Sequence, residues 1–359
     1  MFDDLIGQPH AARMLTAALR RERPRHAYLF AGPAGAGKKT AALKFAAAVC
    51  CPENGCGACA SCKKAIRGVH PDILTLEPAG SLITIDQVRW INSSLNLHPS
   101  ESRARVFIIG DAGALGAAAA NALLKSLEEP PPFIFFLLLA SRPQAVLPTI
   151  ASRCQIVRFQ QVPPADIESY LFDKFHVSAT KREAFARISG GNLKLAEALC
   201  ANAELAGRRE SYMSIAARLG RGGCEKAAAM AAEAESAILE AGAPPAKHDE
   251  ATDSFEVGQK RSQQDAHRRA GAAQKQELAL ALSLLASWYR DMTAVAAGAK
   301  DSILNKDYEL ELEDQALPSR LDNYLRAVGV IENTRKKLGY NIDLGLALQA
   351  MFHELTEVL

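Results

Sequence analysis

The segment Gly32-Pro33-Ala34-Gly35-Ala36-Gly37-Lys38-Lys39-Thr40 constrains this chain more than any other. A G-x-x-x-x-G-K-[ST] loop works only between a strand and a helix. There its backbone N–H groups and the helix N-terminus together cradle phosphate oxygens. Gly32, Gly37 and Lys38 fit that pattern, and Gly35 lies within the loop. Tyr28 to Ala31 predicts the strand before it, and Ala41 to Val49 the helix after it. Lys39 stands where Ser or Thr would hold Mg²⁺. Thr40 is one residue further on, rotated by about 100° around a helix, and should face away. Hydrolysis, silent binding of ATP or ADP, and loss of both are the readings open to such a loop.

Apolar strands alternate with helices downstream. Ile73 to Leu76, Val106 to Ile109, Phe133 to Ala140 and Ile156 to Phe159 read as strands, with helices over 86–97 and 121–129 among them. Pro130-Pro131-Pro132 stops the second of those helices. Strands alternating with helices in this way, the one over 106–109 wholly apolar, predict a parallel α/β sheet covered by helices. The glycine loop falls at a strand's carboxyl end, where such sheets bind ligands. A hydrolase of this kind also needs two acids after a neighbouring strand. Gly110 and Asp111 stand there, so the first acid is missing, and Asp111 reads more simply as a helix cap.

Eight cysteines raise the question of disulfides, but five of them lie within Cys50 to Cys62. Cys51, Cys56, Cys59 and Cys62, with spacings x4, x2 and x2, suit one tetrahedral Zn²⁺ with no open position for catalysis. Cys50 is the spare and could replace Cys51; Cys154, Cys200 and Cys224 read as buried or incidental. The longest apolar run is Phe133 to Ala140, far short of the roughly 20 residues that span a bilayer. The acidic start Asp3-Asp4 offers no basic leader region, so the expected compartment is the cytoplasm. A net charge of +2 argues against a dedicated nucleic-acid binder.

Composition shifts at Gln160 to Pro164, and no strand is evident beyond it. Helices are predicted over 165–175, 180–189 and 193–201, then over 209–240, 277–297, 320–338 and 344–359. Residues 241–274 read as a mobile linker or an exposed helix. The expected organisation is an α/β domain over 1–162 with a cysteine insertion at 50–62, a small helical domain over 163–207, and an all-helical domain over 208–359.

Five segments carry a resemblance in order: Phe2 to Gln8, His26 to Phe30 before the loop, the cysteine quartet, Asn121-Ala122-Leu123-Leu124-Lys125-Ser126-Leu127-Glu128-Glu129-Pro130, and Ser152-Arg153-Cys154. Over about residues 1 to 200 the chain resembles the clamp-loader branch of the AAA+ family, the gamma/tau and delta-prime subunits of bacterial DNA polymerase III. The resemblance implies an AAA+ domain with a structural zinc module, then a helical lid and an oligomerising helical collar. It makes Arg153 an arginine finger offered in trans to ATP on an adjacent gamma/tau subunit. It places Ser141 near the γ-phosphate-sensing position and Lys194 where motor subunits usually carry a sensing Arg. Lys39, Gly110 and Lys194 all depart from the motor pattern. The resemblance therefore implies a stator-like member without efficient hydrolysis. Its partners would be gamma/tau and delta subunits and, through the complex, the sliding clamp and primer–template DNA. A gamma/tau-type ATP-hydrolysing motor is the alternative.

Overall fold

A computed structural model describes the chain except for residues 3, 22–23, 79, 81, 220–225, 242–255 and 339–342, with backbone alone at 241, 256–270, 272 and 338. Two compact units are present: Met1–Lys174 with Ser189–Ala196, and Phe175–Ile188 with Glu197–Leu359.

The first unit is built on five strands: β1 (Ala27–Ala31), β2 (Ile73–Leu76), β3 (Arg105–Ile109), β4 (Ile134–Ala140) and β5 (Gln155–Arg158). They form one parallel sheet in the order β2-β3-β4-β1-β5. Every residue of β1, β3 and β4 is buried. These are the apolar runs that the sequence marks as covered on both sides. One face carries Tyr28, Phe30, Val106, Ile108, Leu137 and Leu139 towards α1 (Pro9–Leu19) and α2 (Lys38–Cys50). Tyr28 and Phe30 both meet the Phe45 ring of α2.

After α2 comes α3 (Ala60–Ile66). The opposite sheet face packs Leu29, Phe107, Phe136 and Leu138 against α4 (Ile85–Ser94) and α5 (Ala117–Glu128). The helix expected over 86–97 ends at Ser94, and its start is fixed by a Thr84–Gln87 capping box. The helix expected from Asn121 starts earlier, at Ala117. Short α6 (Pro148–Ala151) precedes β5, and α7 (Pro164–Lys174) follows it.

The described part of the second unit contains helices and no strand: α8 (Ala179–Ile188), the end of α9 (Leu193–Ala201), α10 (Ala203–Leu219), α11 (Ala227–Ala241), α12 (Glu256–Ala296), α13 (Glu309–Gln315), α14 (Leu321–Leu338) and α15 (Leu344–Val358). α13 went unforeseen, because Glu309 to Gln315 carries four acids and little apolar stripe. Tyr212, Trp288, Tyr289 and Phe352 head one core drawn from α10, α12 and α15. From Glu256 the chain is already within α12; residues 242–255 of the expected linker lie outside the described residues, as does Cys224.

Candidate functional site

The glycine loop joins β1 to α2 at the carboxyl end of the sheet. Gly35 and Gly37 have φ of 72° and 85°, a conformation that glycine adopts without penalty. Gly32 is pressed onto the chain just after β5, where any Cβ would collide with the Phe159 backbone. Gly35 lies equally close to Asn192, which leads into α9. Gly37 caps α2 and offers no side-chain acceptor, so the helix's first N–H groups keep the open, anion-favouring character of such a loop.

The lysines of the loop are both engaged. The Lys38 ammonium donates to the carbonyls of Gly32 and Pro33, at 2.6 Å each. Burial lowers its pKa, and nearby Asp111 works against that. The Lys39 ammonium donates to the Glu77 carboxylate at 2.7 Å. Thr40 is exposed. Glu77 directly follows β2, and the register Leu76↔Ile109 sets it beside Gly110. A Cβ at Gly110 would run into the Glu77 carboxylate. Where the sequence pattern calls for a hydroxyl, a metal and an acid, the chain therefore has an ammonium, a carboxylate from the next strand, and a glycine that makes room for it. Asp111 caps the short turn 112–114, accepting from the Gly113 N–H at 3.0 Å.

Ser141 is exposed immediately after β4, the neighbour of β1, and Lys194 is exposed in the first turn of α9. Arg153 lies between α6 and β5, on the connection that begins at Ser141. Its guanidinium donates to the Thr149 carbonyl at 2.8 Å and to the Glu128 carboxylate.

The cysteines converge as their spacing predicts. The Sγ atoms of Cys51, Cys56, Cys59 and Cys62 all lie within 4.8 Å of one another. Cys51 Sγ is 3.7 Å from that of Cys56 and 3.8 Å from that of Cys59. Four thiolates about 2.3 Å from a tetrahedral ion sit about 3.8 Å apart, so the quartet fits such an ion. Burial works against a Cys51 thiolate. Hydrogen bonding to the backbone of Cys56, Gly55 and Glu53 outweighs it and brings the pKa down to about 6. Burial pushes Cys62 up to about 12. The N–H groups of Cys59 and Cys62 point at the sulfurs of Cys56 and Cys59. Cys50 turns the other way, donating to the Ala104 carbonyl, and burial raises its pKa to about 11. That resolves the choice between Cys50 and Cys51.

Beside the quartet, His70 is buried and its Nε2 lies 3.0 Å from Ser61 Oγ. Buried Asp72 accepts from the N–H groups of Ser100, Glu101 and Ser102. The sequence alone assigns no role to Glu77, Asn192 or Asp72. Only strand order, which no single segment reveals, brings Glu77 beside Gly110.

A family model described as DNA polymerase III, delta subunit, matches residues 7–163. The delta' subunit of DNA polymerase III from Bacillus subtilis is 28% identical over 353 residues, covering 94% of this chain and 92% of that one. The tau subunit of the same organism is 39% identical over 165 residues, covering 45% of this chain and 29% of tau. A solved gamma subunit-related protein of DNA polymerase III from Thermotoga maritima is 18% identical and covers 97% of this chain and 99% of its own, at a TM-score of 0.45. With one set of relatives sharing the sheet-bearing half and a delta' subunit aligned along nearly the whole length, the chain is similar to the delta-prime and gamma/tau subunits of DNA polymerase III.

Proposed function

We propose that this chain is a delta-prime-type, stator-like subunit of a clamp loader. The observation that carries this reading is the Lys39–Glu77 ion pair over Gly110, at the place where a motor would bind its metal. A chain so built does not turn over ATP efficiently, whether or not ADP or ATP rests on the loop. It works within a hetero-oligomer with gamma/tau and delta subunits, helping to place a sliding clamp on primer–template DNA in the cytoplasm. Arg153 is its contribution to chemistry, a guanidinium presented to ATP on the adjacent subunit. Ser141 stands near the γ-phosphate-sensing position, and Lys194 replaces the arginine with which a motor senses its nucleotide. The cysteine quartet holds a structural Zn²⁺. Residues 1–162 form the AAA+ domain, 163–207 the lid and 208–359 the collar.

Reconstitution with the motor and delta subunits tests this. An arginine finger is worth about 10³ to 10⁵ in rate in other phosphoryl-transfer systems. Arg153→Ala should therefore abolish most turnover at the neighbouring site while the complex still assembles. Undiminished clamp-stimulated ATPase would remove Arg153 from the mechanism. The 39% identity to tau supports a second reading, an ATP-hydrolysing motor. Mg-dependent turnover by the isolated chain, lost in Lys38→Ala, would establish that reading instead.

A further inference from the structure

We infer that Glu128 is a positioning residue for Arg153, holding the guanidinium in the orientation that a neighbour's phosphates require; the inference rests on the trans role given to Arg153 above. An arginine finger acts only if its planar fork is aimed before the phosphates arrive, since orientation is what such a group adds to the reaction. A free arginine side chain loses rotamer freedom when it is fixed. Here that cost is met within the subunit. One guanidinium nitrogen donates to the Thr149 carbonyl and another to the Glu128 carboxylate. A guanidinium has five N–H donors, so three remain for a ligand, on a side chain that is 34% exposed.

Both anchors stand on fixed structure. Glu128 is the last residue of α5. The neighbouring Leu127 is buried, and its carbonyl lies 2.9 Å from His26 Nε2. One residue earlier, Ser126 donates to the Asn92 side chain at 2.8 Å. Pro130 prevents the helix from running on. Thr149 belongs to α6, which is pinned by buried Ile150. The guanidinium also sits at a helix C-terminus, where cations are favoured.

Folding stability does not account for the pair. Glu128 is 48% exposed, and ion pairs this open contribute little to stability. The carboxylate also withdraws some positive potential from the finger. At this exposure that screening is small beside the hundredfold or so that a misplacement of about 1 Å can cost.

The test is steady-state ATPase of the reconstituted complex carrying Glu128→Ala, Glu128→Gln, Arg153→Ala or Arg153→Ala with Glu128→Ala. Glu128→Ala should lower kcat on the order of tenfold with little change in KM for ATP. Glu128→Gln, whose amide oxygen still accepts from the guanidinium, should recover most of that loss. In the Arg153→Ala background Glu128→Ala should have no further effect, because a residue that acts through Arg153 cannot act without it. An unchanged or raised kcat in Glu128→Ala, or a full further loss in the double variant, overturns the inference. Those outcomes leave the trans reading standing as long as Arg153→Ala is itself defective; if Arg153→Ala is fully active, the trans reading fails first.

Discussion

At the scale of single residues, the molecule turns on small contacts that substitutions can reach. Gly110→Ala should cost the first unit about as little as loss of the ion pair, since the new Cβ meets only the flexible end of the Glu77 side chain and displaces it. In a Glu77→Ala background it should cost nothing further. Urea unfolding of the two variants makes the comparison, and Glu77→Ala alone should cost less than about 1 kcal/mol, as an exposed pair does. Acid should act through His70 and Asp72. Burial holds the His70 pKa down. For Asp72, burial raises the pKa, but hydrogen bonds from Ser100, Glu101 and Ser102 outweigh it and the net shift is down. In both cases the unfolded chain binds the proton more readily, so both contributions are present at high pH and lost on acidification. His70 loses its share as pH falls below about 6.5, and Asp72 its share below about 3.9. His70→Asn should flatten the upper limb of a stability–pH curve and Asp72→Asn the lower. The cysteine quartet was legible from spacing alone, because thiolates that must share one ion need nearness in sequence. Glu77 was not, because its meaning comes from a strand register.

At the scale of elements, the alternation of strand and helix showed through the sequence because strands covered on both faces must be continuously apolar. The order β2-β3-β4-β1-β5 did not show, since any parallel order satisfies the same pattern. The short module of cysteines with α3 has almost no apolar core of its own, only buried Cys62 and Ala65 in that helix. Its fold should therefore depend on the ion. Chelation, or Cys59→Ser, should lower the melting temperature of the first unit, with about one zinc per chain measured by atomic absorption beforehand. Retained melting behaviour after complete removal of metal would count against a structural ion. In the second unit, α10 is tied to the 305–307 turn through buried Arg209. Its guanidinium donates to both Asp307 oxygens at 2.6 and 2.8 Å and to Asn305 at 3.0 Å, between the Phe185 and Tyr308 rings. Arg209→Ala leaves Asp307, whose side chain is 9% exposed, without its partner, and breaking such largely buried pairs costs about 3–5 kcal/mol. Chemical denaturation should show a loss of that size. The sequence predicts a helix from residue 209 but gives Arg209 no role, because a buried arginine and an exposed one look alike without tertiary context.

At the scale of the whole molecule, the chain has two compact units with separate cores. Differential scanning calorimetry should resolve where each substitution acts. Cys59→Ser should move the transition of the first unit and Arg209→Ala that of the second. A single transition shifted equally by both would show that the units unfold together. Among the described residues, no helix is long and apolar enough to cross a membrane. The helical second unit was visible as apolar periodicity, but its purpose was not: an amphipathic helix announces that it packs, and leaves its partner unnamed.

The contact between Lys39 and Glu77 above Gly110 also bears on descent. A lineage moving from this loop towards a metal-binding one would need a hydroxyl at Lys39, an acid at Gly110 and a smaller residue at Glu77. An acid placed at Gly110 first would push the Glu77 carboxylate away from Lys39, and a hydroxyl placed at Lys39 first would strand the Glu77 carboxylate. Removing Glu77 first would leave the Lys39 cation without its counter-charge. The three positions are therefore coupled, and a metal-binding loop is reached from this one by substitutions made together rather than singly.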